Sequence, residues 1–195
     1  MHILNVLDAV AKRRTVRRFR QDPIDRESIV KMIDVARVSP SAGNMQSLKY
    51  AVVASKEERE AIFPYIKYAG YIPEWNPELS ESPVAFIAVL NDTSIRANNA
   101  FTQCDSGISM MAISMIAEEM GYSSCILGAI EREKIAEILG IKSQYEILYL
   151  VGLGISMQEN SQFDDSGSVK YVMDQNGNFQ VPKRKLEDLI VNRGK

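Results

Sequence analysis

Ser39-Pro40-Ser41-Ala42-Gly43-Asn44-Met45-Gln46-Ser47 lies between a stretch with helical patterning and a stretch with strand patterning. Pro40 and Gly43 mark it as a short loop between two rigid elements. Its chemistry is serine hydroxyls and two side-chain amides, with no carboxylate, His or Cys. Amides offer both donors and acceptors. Such a loop is poorly suited to acid-base work and well suited to gripping a flat heterocycle by its edge. On composition alone the favoured reading is an ordinary solvated turn.

Upstream, Asp25 is placed to N-cap a helix with Glu27 in its first turn and Ile29, Met32, Ile33 and Ala36 as its apolar stripe. Downstream, Lys49 to Ser55 is predicted as a strand, and its near-continuous apolarity implies burial on both faces. Pro83 to Leu90 is a second buried strand. Ile147 to Val151 is a third, ending in Gly152-Leu153-Gly154. That glycine pair lacks the third glycine and the following helix of a dinucleotide fingerprint. Helices are predicted over Asn5 to Lys12, Lys56 to Lys67 and Glu131 to Leu139, and a short strand over Tyr122 to Gly128. Tyr68 to Pro77 is dense in aromatics and prolines, and is either a packed surface loop or a lid. In the tail, Ser168 to Met173 alternates, Asn176-Gly177 signals a hairpin, and Phe179 to Val181 is the return strand. A last helix is expected from Lys183 through Val191.

The longest helix, Asn99 to Met120, is apolar on nearly every face. An all-round apolar helix is buried. In a chain this short, that is easiest if a second subunit covers one side, so a dimer is expected. The alternative is a central helix within one subunit.

With 195 residues, 46% hydrophobic and 25% charged, the chain is expected to form one domain, residues 1–195, with a sizeable core. The net charge of −2 gives no overall bias toward nucleic acid or anionic membrane. No apolar run approaches the roughly 20 residues of a membrane span, and no apolar signal-peptide region follows Lys12 to Arg20. Cys104 and Cys125 have neither zinc nor redox-motif spacing and are expected to be buried free thiols, which fits a reducing, cytoplasmic setting. The single histidine, His2, is terminal, so a mechanism needing an internal histidine is excluded.

Six of the nine residues from Lys12 to Arg20 are basic and none is acidic. A charge run is commonly a solvated face, but Val16 and Phe19 interleave with this one. Guanidinium groups held by packed backbone form a bidentate phosphate site, to which Thr15 adds a hydroxyl.

Taken in order, several segments resemble the FMN-dependent nitroreductase family. Arg13-Arg14-Thr15-Val16-Arg17-Arg18-Phe19 is similar to its N-terminal Arg-Arg-Ser-x-Arg-x-Phe. Pro40-Ser41-Ala42-Gly43-Asn44-Met45-Gln46 is similar to Pro-Ser-Ala-Gly-Asn-x-Gln. Asp105-Ser106-Gly107, Gly121 to Gly128 and the tail from Pro182 to Glu187 extend the resemblance over nearly the whole chain. It implies an α+β sandwich, with a mixed, mainly antiparallel central sheet flanked by helices. It also implies a homodimer with FMN at the interface. Arg13, Arg14, Thr15 and Arg17 would hold the phosphate and ribityl end, with Arg193 or Lys195 adding to it. Pro40, Ser41, Asn44 and Gln46 would address the ring and ribityl groups, some from the partner subunit. Leu127 and Gly128 would line the ring. Ser47-Leu48, Ile126 and Gly152-Leu153-Gly154 stand where many members have Pro-Trp, Trp and Gly-Tyr-Pro, which alters pocket shape rather than the phosphate end.

The activity implied is an FMN-dependent NAD(P)H oxidoreductase. NADH or NADPH is the donor, and a small-molecule oxidant such as a nitroaromatic or quinone is reduced in a ping-pong mechanism. No residue is expected to act as a catalytic nucleophile, and no metal is expected. Alternatives are a specialised flavin enzyme of the same fold, reductively dehalogenating or flavin-consuming, and a non-catalytic FMN-binding module.

Overall fold

The computed structural model describes residues 6–191. Helix α1, Val6–Lys12, leads into an extended basic segment that ends in the two-residue strand β1, Phe19–Arg20. Helix α2, Arg26–Arg37, begins where expected: the Asp25 carboxylate accepts from the Ser28 N–H at 2.8 Å. Ile29, Met32 and Ala36 form its buried stripe. Strand β2, Leu48–Val53, follows the amide loop. Helix α3, Lys56–Ile62, is capped by the Ser55 hydroxyl, which accepts from the Glu58 N–H at 3.2 Å. It stops short of the expected Lys67 because Pro64 has no N–H to continue the ladder, leaving one 3-10 turn at Phe63–Tyr65.

Strand β3, Ala85–Asp92, is buried at every position. Helix α4, Ala100–Glu119, starts at Asn99, whose side chain accepts from the N–H groups of Phe101 and Thr102. Strand β4, Ser123–Leu127, helix α5, Arg132–Ile138, and strand β5, Tyr145–Ser156, follow. The main sheet runs β1-β5-β3-β2, with β4 in line with β1 along the same edge of β5. All its ladders are antiparallel, and one parallel bridge joins Thr15 to Ser124. Helices α2 and α4 cover one face over a core that includes Met32, Ile87, Val89 and Ile113. The other face packs Ile62 of α3 and Ile135 of α5 against Phe86, Leu90 and Leu150. The result is the expected α+β sandwich.

Two strand expectations need correction. Strand β2 is not buried on both faces: only Val53 is buried, because β2 is the free edge of the sheet. Strand β5 does not end at its glycines but runs through them. A Cβ on Gly152 would lie 2.6 Å from Pro83 Cγ, and one on Gly154 would lie 2.8 Å from Phe19 Cδ1. These glycines admit close neighbours in mid-strand rather than ending the strand.

The tail forms a small sheet of β6, Ser161–Asp164, β7, Val172–Met173, and β8, Phe179–Lys183, in the order β6-β8-β7. The predicted hairpin is present but wider than a two-residue turn. The Asp174 carboxylate caps it, accepting from the N–H groups of Asn176 and Asn178. The last helix shrinks to a single turn, α6, Leu186–Leu189. Trp75 packs edge-on to Phe179 with ring centroids 5.2 Å apart, so Tyr68 to Pro77 is seated on the tail. Of the cysteines, Cys125 is buried, its thiol pushed up to about 11 by burial, while Cys104 is exposed, contrary to expectation. No described helix is long and apolar enough to cross a membrane.

Replacing Gly154 with Ala should force the Phe19 ring from its place in the core. We expect a loss of about 1–3 kcal/mol in urea-induced unfolding, against a gain of up to about 1 kcal/mol for Gly107→Ala inside α4, where a Cβ meets nothing within 4 Å.

Candidate active site

The amide loop is a strained turn held by a buried clamp. Gly43, Asn44 and Gln46 all have φ between 51 and 62°. For Asn44 and Gln46 this left-handed conformation costs on the order of 1–2 kcal/mol each. It is held from α4: Asp105, 3% exposed, accepts from the Ala42 N–H at 2.9 Å. Arg96 donates to the Ala42 carbonyl at 2.6 Å and pairs with the other Asp105 oxygen at 3.4 Å. Within the loop, the Ser41 hydroxyl accepts from the Gln46 N–H at 3.2 Å. The Gln46 side-chain NH2 donates to Asn44 Oδ1 at 3.2 Å, and the Asn44 NH2 has no partner among the described residues. Pro40 is exposed beside them. Arg96 was not singled out from the sequence; nothing in the local pattern links it to a loop 54 residues earlier.

A groove of about 700 Å³ starts at Ser41 and Gln46 and follows the free edge of β2. This volume is in the range of small-molecule sites. Ile33 and Ala36 line one side, and Ile141 and Tyr145 the other.

The basic segment lies at the opposite edge of the sheet. Thr15 bridges to Ser124, and the Val16 N–H donates to the Ser124 carbonyl at 3.1 Å, so Arg13 to Val16 run beside the start of β4. Two tail amides fasten it. Gln158 accepts from the N–H groups of Arg17 and Arg18 and donates to the Gly177 carbonyl. Asn160 donates to the Thr15 carbonyl at 2.8 Å and accepts from the Phe179 N–H at 2.7 Å. Both amides lie 140 residues or more from their partners in the segment, beyond the reach of local pattern.

The arginines divide into two groups. Arg17 donates to the Tyr68 carbonyl at 2.5 Å, with its guanidinium 4.6 Å from the centroid of the Phe179 ring and 5.2 Å from that of Tyr171. Arg18 forms a two-toothed pair with Glu81. These two side chains tie the segment to the tail and to the Tyr68 loop. Arg13 and Arg14 take part in no ion pair among the described residues. The Arg13 Nε is buried with no hydrogen-bond partner among the described residues. Burial lowers the Arg14 pKa, the adjacent Arg13 adds to this, and Glu118 opposes it. Burial raises the pKa of Glu118, with Arg13, Arg14 and Lys12 pulling the other way. Two half-buried guanidiniums, with Arg14 donating to the Arg13 carbonyl at 2.7 Å and Glu118 the one carboxylate acting on them, concentrate positive charge where an anion could sit.

Leu127 is turned into the core, so only its backbone can meet a ligand; Ile126 and Gly128 are the exposed positions of that strand end. Strand alternation carries that signal. Arg193 and Lys195 lie outside the described residues. Among the described residues no cluster of three or more His, Cys, Asp or Glu could hold a metal ion.

The two halves of this constellation are not adjacent within one chain. Three strand spacings, about 14 Å, separate β2 from β4 across the sheet. Asp105, which clamps the amide loop, and Glu118, beside Arg13 and Arg14, lie about 20 Å apart along α4.

Comparison with known proteins places this architecture. The nitroreductase family model matches residues 10–70 and 68–155. The NADH dehydrogenase of Thermus thermophilus is 25% identical over 183 residues, covering 80% of this chain and 89% of that protein. A nitroreductase family protein from Clostridium novyi NT superposes with a TM-score of 0.68 at 25% identity, covering 78% of this chain and 86% of that one. The NADPH:FMN oxidoreductase of Vibrio harveyi, solved with NAD+, gives 0.69 at 17% identity over 98% of this chain and 78% of its own. With most of its length matched by the family model and its sandwich shared with solved members, the chain belongs to the nitroreductase family.

Proposed function

We propose that the chain is an FMN-dependent NAD(P)H oxidoreductase, acting as a homodimer on nitroaromatic or quinone-type acceptors by a ping-pong mechanism. The observation that carries this reading is the distance between the two halves of the site. A phosphate cluster and a ring-gripping loop about 20 Å apart on one helix cannot serve one flavin within a single chain. They can if two copies pack α4 against α4 in opposite directions, so that Arg13 and Arg14 of one copy meet the amide loop of the other. The surface of α4 supports this. Phe101, Ile108 and Met111 are 64, 36 and 39% exposed and fall on one stripe.

The residues present suit FMN. Arg13 and Arg14 would neutralise the phosphate dianion, the unpartnered Arg13 Nε supplying a ready donor, with Thr15 beside them. Asn44 would direct its free NH2 toward the ring edge, oriented by Gln46 and by the Arg96–Asp105 clamp. Arg17 and Arg18 act as positioning residues, fixing the backbone that carries Arg13 and Arg14. When bound, FMN supplies the hydride-transfer chemistry, and the chain supplies binding, orientation and electrostatics. That the Thermus relative is an NADH dehydrogenase and the Vibrio neighbour an NADPH:FMN oxidoreductase supports this assignment. The decisive test is the absorption spectrum of the purified protein, followed by steady NAD(P)H oxidation with a nitro or quinone acceptor. A colourless protein that takes up no FMN ends the proposal.

Arg14→Ala should weaken FMN binding by about 1.5–3 kcal/mol, the worth of a charge-assisted hydrogen bond to phosphate. Flavin titration reads this, and unchanged affinity would remove Arg14 from the phosphate site.

Met111→Asp should abolish dimerisation and FMN retention together, because an unpaired carboxylate in an apolar interface is strongly unfavourable. Size-exclusion chromatography with absorbance at flavin wavelengths reads both, and a monomer that keeps its FMN would show that the site is not shared.

Asn44→Leu should lower the flavin midpoint potential while FMN occupancy falls less than in Arg14→Ala. A donor at the ring edge favours the more electron-rich redox state, whereas retention rests on the phosphate end. Spectroelectrochemistry showing an unchanged potential would leave the loop as a turn only.

A further inference from the structure

Ala42 gives both of its backbone polar groups to one ion pair. Its N–H donates to Asp105 at 2.9 Å, and its carbonyl accepts from Arg96 at 2.6 Å. The two side chains meet at 3.4 Å and are only 3 and 14% exposed, so water competes weakly for them. The residues with positive φ follow at once: Gly43, Asn44 and, after Met45, Gln46. Every other hydrogen bond of Ser41 to Gln46 among the described residues runs within the loop itself. The N–H groups of Asn44 and Met45 donate to the carbonyls of Ser41 and Ala42, and Gln46 donates to Ser41 Oγ and to Asn44. Such internal bonds move with the loop. The Arg96–Asp105 pair alone ties it to outside elements by hydrogen bonds, Asp105 lying on α4 and Arg96 between β3 and α4.

We infer that Arg96 and Asp105 are positioning residues that set the reduction potential of the bound flavin. They do so by holding Asn44 in the conformation that presents its NH2 as a ring-edge donor. The tuning rests on the oxidoreductase reading above; the clamp does not. A donor fixed in advance stabilises the charge that reduction adds and needs no reorganisation when that charge arrives. Left-handed backbone at a non-glycine residue persists only where its surroundings impose it. Released from the pair, Asn44 relaxes and the donor is lost. Both clamp residues are charged, so a direct field on the ring must be told apart from an effect of position. The sign does this. Asp105 is negative, and removing its charge would, by field alone, ease formation of an anionic reduced ring and raise the potential. Releasing the loop lowers it.

Spectroelectrochemistry and amide hydrogen exchange on the FMN-loaded protein test this together. In Asp105→Asn one acceptor oxygen replaces two, so the potential should fall. The amides of Ala42, Asn44 and Gln46 should exchange about tenfold faster or more, while those of β3 keep their protection. Arg96→Lys keeps the charge without the planar fork and should lower the potential less. In Asn44→Leu/Asp105→Asn the potential should be no lower than in Asn44→Leu alone, because two changes that act through one donor do not add. A raised potential in Asp105→Asn would overturn the inference in favour of a direct field. Additive shifts in the double variant would overturn it too, as would unchanged loop exchange, or faster exchange with an unmoved potential. If Asp105→Asn does not fold, Arg96→Lys with Asn44→Leu serves for the same exchange and additivity measurements. A protein that takes up no FMN sinks the oxidoreductase reading and the tuning with it. A normal FMN complex whose potential ignores the clamp sinks the tuning alone, so the two failures are distinguishable.

Discussion

The packing of α4 on the sheet is the constraint on which the rest depends. Its buried face is built largely of small or short residues, Ser106, Ser109, Ser114 and Ala117, with Met110 and Ile113 filling the core between them. Small side chains bring the helix close to the strands and fix its length against them. One end of that helix then fastens the amide loop through Asp105, and the other places Glu118 beside the basic segment. The larger apolar residues Phe101, Ile108 and Met111 are left on the outer stripe. A helix that satisfied its own chain completely would carry polar groups there.

The amide loop and the basic segment are stiffened by different means. The amide loop adopts left-handed backbone at two non-glycine residues, a conformation that persists only where surrounding structure over-determines it. Here the buried Asp105, held by Arg96 and an amide N–H, provides that determination. The basic segment is extended and its backbone is tied only at Val16 to Ser124 and at Arg18 to Met157 among the described residues, so side chains do most of the fastening: Gln158 and Asn160 from the tail, and Arg17 and Arg18 outward to Tyr68, the aromatic pair and Glu81. In both places charged side chains with partners hold the backbone, and donors without partners are left for a ligand.

This division of labour fits a family in which the chemistry belongs to a cofactor. The described residues offer no metal cluster, and the chain has no internal histidine. What the fold contributes is a rigid frame, a cation pair at one sheet edge and an amide loop at the other. The groove along β2 exists because, among the described residues, β2 has a partner strand on one side only.

The sequence by itself determined the elements and the chemistry. Helical spacing gave α2 and α4, Asp25 and Asn99 marked their starts, and apolar runs located β2, β3 and β5. The Arg-Arg-Thr and Ser-Ala-Gly-Asn-Met-Gln stretches pointed to the family before any geometry, because each is a contiguous motif that is local in the chain. Only the tertiary structure decided the rest. It showed β2 to be an edge rather than a buried strand, since strand order is a property of long-range pairing. It showed Gly152 and Gly154 to be close-contact positions rather than a strand end, since Pro83 and Phe19 meet them from distant parts of the chain. It also divided the basic run into Arg13 and Arg14, without ion-pair partners among the described residues, and Arg17 and Arg18, committed to the Tyr68 carbonyl with the Phe179 ring and to Glu81. The groups that decide that division, Tyr68, Glu81, Gln158 and Phe179, are brought there by folding alone.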